Sequence, residues 1–81
     1  MNEDKHRTRI DIYREILIKT ESPILKTELS YSCRIGYRPL NRYIDYLSGK
    51  NLIRLTKIGK VCRTERGKEC LDLLIKLQGY I

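Results

Sequence analysis

Arg38, Asn41, Arg42 and Asp45 recur at intervals that place them together on one side of a helix. At about 100° per residue, with Leu40 at 0°, they fall at about 160°, 100°, 200° and 140°. Two guanidinium groups and one side-chain amide supply donors that can reach base edges or phosphate oxygens. Asp45 sits among them and would be repelled by phosphate, so it either restrains a neighbouring arginine or accepts from a cytosine amino group; the first is expected. Lys57, Lys60 and Arg63 add three cations a little further on. The bland alternative is that all of these are only the wet side of an amphipathic element.

Other chemistry finds little support. There is no Ser-His-Asp set, no phosphate loop, no dinucleotide fingerprint and no carboxylate pair in an evident apolar pocket, so no catalytic residues and no enzyme activity are expected. Cys33, Cys62 and Cys70 form no CxxC pair, and His6, the only histidine, stands alone near the start. No metal or other cofactor is therefore expected, and each cysteine reads as a small buried hydrophobe.

The charge distribution narrows the partner. The 81 residues carry a formal charge of +7, yet residues 1–33 are balanced and residues 69–81 are slightly acidic. The whole surplus lies between Arg34 and Lys68, where ten basic residues face only Asp45 and Glu65. Segregated positive charge implies a one-signed face, and the large polyanion inside cells is nucleic acid. No apolar run approaches the roughly 18 residues of a membrane span, and MNEDKHRTR lacks the apolar core of a secretory signal. The expectation is an intracellular protein of the cytoplasm or nucleoid, or of the host cytoplasm if viral, with no membrane partner.

The elements that must position these groups follow from periodicity. Residues 1–8 read as a charged leader that frays, and 9–81 as one domain, the most this length supports. Ile10, Tyr13, Ile16 and Leu17 mark a first helix from Arg9 to Thr20, stopped by Ser22-Pro23. Residues 23–26 are too short for a helix and read as a brief extended segment. Thr27 is placed to cap a second helix reaching Cys33, and Gly36 to supply the unusual backbone angles of the turn after it. A third helix, 37–48, buries Leu40, Tyr43, Ile44 and Leu47, tolerates Pro39 in its first turn, and ends with Gly49 after its C-cap. Residues 52–64 alternate as a β-hairpin with a loop centred on Gly59, because Ile58 would resist a positive φ. Thr64 caps the last helix, whose apolar residues span about 200° of arc.

The order helix, short strand, helix, helix, hairpin, helix is an α+β, mostly α arrangement, that of a winged helix-turn-helix. It would set helix 37–48 in the major groove of DNA and its hairpin wing on the backbone or minor groove. Breadth in the first and last apolar arcs calls for a second contact surface, assigned to a homodimer through Ile12, Leu71, Leu74, Ile75 and Ile81 in preference to cover by the N-terminal leader. An effector pocket is not expected in so small a core, so no small-molecule ligand is foreseen.

Lys26-Thr27, the Gly36-Tyr37-x-x-Leu40-x-x-Tyr43-Ile44-x-x-Leu47 helix, Asn51-Leu52-Ile53 and Thr64-Glu65-Arg66-Gly67-Lys68-Glu69 together resemble the small archaeal winged-helix proteins, which include chromatin-associated DNA binders and regulators carried by archaeal viruses. The resemblance covers Lys26 to Leu77. It implies binding of double-stranded DNA, as a homodimeric transcriptional regulator, and members with long C-terminal helices pair through an antiparallel coiled coil. Arg38, Asn41 and Arg42 would face the groove, Arg34 and Tyr37 would fix helix entry, and Lys57, Lys60 and Arg63 would serve the wing. An architectural, chromatin-like binder using phosphates alone and a winged-helix module that docks an acidic protein are the two alternatives.

Overall fold

A computed structural model describes residues 7–79, so residues 1–6 of the leader, His6 among them, and Ile81 lie outside the described residues. The first helix, α1 (Arg9–Lys19), opens on a reciprocal cap that periodicity did not disclose. The Asp11 amide donates to the Thr8 hydroxyl at 3.1 Å, and the Thr8 amide donates to the Asp11 carboxylate at 3.0 Å. Those bonds from Thr8, with Arg14 nearby, hold the Asp11 carboxyl below its ordinary pKa. At the far end the buried Thr20 hydroxyl donates to the Ile16 carbonyl at 2.8 Å, closing the last turn.

Strand β1 (Ile24–Leu25) leads without a loop into α2 (Lys26–Cys33). Thr27 is therefore not the cap: Leu25 occupies that position and no side chain caps the helix. The reason is pairing, since Leu25 lies opposite Lys60 in the sheet and is held extended until the helix begins. The turn after α2 also differs from expectation. Arg34, not Gly36, takes the left-handed conformation, with φ 56°, while Gly36 has an ordinary φ of −57°. The chain reverses at the first residue beyond the helix, where the Arg34 and Ile35 amides reach the Tyr31 and Ser30 carbonyls at 3.2 and 3.0 Å. Those bonds offset a conformational cost of about 1 kcal/mol.

Helix α3 (Tyr37–Gly49) buries Leu40, Ile44 and Leu47 and half-buries Tyr43 on the same side. Gly49 is its last helical residue rather than the residue beyond the cap; Lys50 caps, and Asn51 supplies the left-handed turn with φ 62°. The hairpin follows as β2 (Ile53–Leu55) and β3 (Lys60–Arg63). The sheet order is β1-β3-β2, antiparallel throughout, with Val61 between Ile24 and Leu55. Gly59 has φ 84°, and the turn is closed by the Gly59 amide on the Thr56 carbonyl at 3.0 Å and the Lys60 amide on the Thr56 hydroxyl at 3.0 Å.

The last helix, α4 (Glu65–Gln78), is capped by Thr64 as expected, with the Gly67 amide donating to its hydroxyl at 3.0 Å. Gly67 is buried against the backbone just before β2: a Cβ there would lie 2.0 Å from the Leu52 carbonyl oxygen. That close approach turns the Gly67, Leu71, Leu74 line toward the core. Leu71 is buried, and Leu74 and Ile12 pack on the buried cluster, so these three are not the free interface residues expected of them. Ile75 is half-exposed, and the large apolar residues most exposed on α4 are instead Leu73 and Leu77. All three thiols are free, with Cys33, the last residue of α2, buried in the core. No helix among the described residues is long and apolar enough to cross a membrane.

Candidate nucleic-acid interface

Helix α3 is presented by its own burial pattern. With Leu40, Ile44 and Leu47 in the core, Arg38, Arg42 and Asp45 are driven outward and exposed, and Asn41 lies half-buried at the margin. The roll of the helix is fixed on one flank by aromatic packing. Tyr13 of α1 stacks on Tyr46 at 5.3 Å between ring centres and 12° between planes, and meets Tyr43 edge-on at 5.6 Å. Lys50 places its ammonium 5.6 Å from the centre of the Tyr46 ring. Tyr43 thus serves packing, as its place in the apolar stripe implies.

Asp45 does not restrain an arginine. Among the described residues the only ion pair joins Arg14 to Asp11, at 3.2 Å. Exposed, and free of Arg38 and Arg42, Asp45 interrupts an otherwise cationic surface.

The wing and α3 share a side. Lys26, Thr27, Tyr37, Leu55 and Lys57 line one concavity of about 410 Å³, which joins the start of α2, the start of α3 and the hairpin turn. Lys26 and Thr27 were not singled out as contact residues from the sequence. The β1–β3 pairing brings them there, and the only trace of that pairing in the sequence is the two-residue Ile24-Leu25 run. Lys57 is exposed and Lys60 half-buried.

Two expected contact residues lie elsewhere. Arg34 borders a shallow depression with Ser30, Tyr31 and Ile35, away from the wing concavity. Arg63 turns inward: its guanidinium donates to the Leu17 carbonyl at 3.0 Å and its amide to the Thr20 carbonyl at 2.8 Å. Being at the root of the hairpin, beside the carbonyls left over at the end of α1, it finds partners within the protein. It anchors the wing rather than extending it.

A further groove, of about 470 Å³, runs between α1, the end of α3 and α4, with Ile10, Tyr13, Tyr46 and Leu73 on its walls and Lys50, Arg66 and Glu69 among its lining residues. Among the described residues no cluster of three metal-ligating side chains forms.

The pattern of a winged helix-turn-helix family matches residues 6–80. No curated protein matches the sequence. Among solved structures, a MarR family transcriptional regulator from Silicibacter pomeroyi superposes with a TM-score of 0.74 at 14% identity, covering 95% of this chain and 58% of that one. A transcriptional regulator from Thermotoga maritima gives 0.72 at 20% identity, covering 93% of this chain and 56% of the other. RV1404 from Mycobacterium tuberculosis gives 0.71 at 20% identity, with 93% and 55% covered. At these identities the likeness is one of fold, and the chain spans little more than half the length of each.

Proposed function

Because this chain belongs to the winged helix-turn-helix family, we propose that it binds double-stranded DNA as a transcriptional regulator, with α3 in the major groove and the wing on the adjacent backbone or minor groove. The observation that carries this reading is the shared concavity of Tyr37 and Lys57, which aligns the start of α3 with the wing on one side of the molecule. A duplex seated on Tyr37 at the start of α3 would also meet Lys26 and Lys57, and one lying further along the helix would meet the exposed Arg42, which borders a neighbouring groove with Arg9 of α1. Arg38, Asn41 and Arg42 are assigned base-edge or phosphate contacts, and Lys57 and Lys60 contacts of the wing. Arg34 is left with helix entry, from outside the concavity, and Arg63 with no DNA contact. The regulators whose fold this chain shares support the assignment to transcription.

The same reading includes a homodimer, because paired half-sites are read most readily by two-fold assemblies. Leu73, Ile75 and Leu77, each at least half-exposed on α4, replace Leu71, Leu74 and Ile12 as the residues for that contact.

The test is duplex binding across a salt series. Affinity should fall steeply and linearly on logarithmic axes as salt rises, because phosphate contacts release counterions. Absence of binding at low salt, or binding indifferent to salt, would overturn the reading in favour of a protein-docking module.

A further inference from the structure

We propose that Ile58 is a wedge: the wing tip enters the minor groove and drives this side chain between adjacent base pairs, kinking the duplex. The inference rests on the DNA-binding reading above and adds a mode of contact to it.

Ile58 is 73% exposed at the outermost point of the hairpin, the most exposed aliphatic side chain among the described residues. Nothing in the protein's own stability accounts for it there. It lies outside the core and the residues packed on it, and a β-branched side chain is a poor choice for a turn, where Gly, Asn, Asp and Ser are favoured. Nor does the side chain ride on a loose loop. The turn beneath it is fixed by three hydrogen bonds: the Gly59 amide to the Thr56 carbonyl, the Thr56 amide to the Lys60 carbonyl and the Lys60 amide to the Thr56 hydroxyl, at 3.0, 2.8 and 3.0 Å. Below that, Arg63 ties the root of β3 to the end of α1. The apolar tip is therefore held out on a braced arm.

Its neighbours identify the partner. Lys57, exposed, precedes it, and Lys60, half-buried at the start of β3, follows two residues later, so the chain carries a hydrocarbon flanked by two cations at the tip. Cations are drawn to the negative potential of a narrow minor groove, and aliphatic side chains delivered there insert between base steps and bend the duplex toward the major groove. Steps that unstack easily, TA or CA/TG, are the expected sites of insertion.

The test uses the full chain and a duplex of about 30 base pairs with a central TA step, labelled at both ends for energy transfer. Wild type should bring the ends together by a bend of at least about 20°. Ile58→Ala, which spares the core, should keep the unfolding midpoint and the salt slope but leave the duplex nearly straight. Its affinity should fall about tenfold, the order that burial of an aliphatic side chain supplies. Ile58→Leu should keep the bend, and a duplex already kinked by a short unpaired bulge should bind wild type and Ile58→Ala alike. Salt-dependent binding with no bend, or an Ile58→Ala protein that binds and bends as wild type does, overturns the wedge and leaves DNA binding intact. If wild type binds no duplex at all, both readings fall.

Discussion

The guanidinium of Arg63 donates to the carbonyl of Leu17 at 3.0 Å, joining the root of the wing to the last turn of α1 across 46 residues of sequence. The Leu17 carbonyl is among the four that α1 cannot satisfy within its own ladder, so a cation there both completes a hydrogen bond and answers the helix's negative end. Arg63→Ala is expected to lower the unfolding free energy by about 1.5 kcal/mol, read as a lower urea midpoint at unchanged m-value. Because the root of the wing then keeps only the main-chain bond to Thr20, Lys57→Ala should cost less DNA affinity in that background than in wild type. Equal costs in both backgrounds would show that the tether does not position the wing.

Arg38→Ala and Asn41→Ala are each expected to reduce discrimination between a selected operator and random duplex by about 1–3 kcal/mol. Lys57→Ala should weaken binding to every sequence alike and reduce the logarithmic salt slope by about 1. Competition binding against a random duplex pool separates the two patterns. Uniform weakening by all three substitutions would indicate an architectural binder.

Two glycines should respond in opposite directions to the same substitution. Gly67→Ala would set a methyl 2.0 Å from the Leu52 carbonyl oxygen, a backbone atom of the residue just before β2, and is expected to cost about 3 kcal/mol. Gly49→Ala meets nothing within 4 Å at a helical position with negative φ, and should stabilise by about 0.5–1 kcal/mol. Thermal or urea unfolding of the two variants checks both signs.

Burial, with a smaller contribution from Glu15, pushes the Cys33 thiol from the ordinary 9.0 up to about 11. Below pH 9 the thiol is protonated in both folded and unfolded chains and contributes no pH dependence. Between 9 and 11 the unfolded chain releases a proton that the folded chain retains, so stability falls as pH rises, with a slope approaching about 1.4 kcal/mol per unit from this group. Cys33→Ala should unfold with a shallower loss over that interval. At pH 8 an alkylating reagent should modify the half-buried Cys62 and Cys70 before Cys33.

Much of this architecture is written in apolar spacing. The Leu40, Ile44, Leu47 stripe decides by itself which side of α3 faces water, and hence that Arg38 and Arg42 are exposed. Spacing failed where more than one orientation satisfies it. The α4 arc is wide enough that Leu73 and Leu77 could have faced inward; the close seat of Gly67 on Leu52 chooses the other sector. A glycine inside a helix was the available signal. Arg63 was misplaced because a cation in a basic hairpin reads as a surface group, and its partner, a main-chain carbonyl in another element, has no sequence signature. Arg34 misled similarly: a neighbouring glycine suggested where the chain turns left-handed, but hydrogen bonds to Ser30 and Tyr31 set the turn two residues earlier.

The placement of β3 between β1 and β2 also bears on how the molecule behaves at high concentration. Its two outer strands are two and three residues long, so each flank offers only a stub of unpaired main chain for a neighbour to extend. Stubs of that length make poor templates for strand-by-strand polymerisation into fibrils, and the protein carries its small sheet without the usual hazard of an open edge.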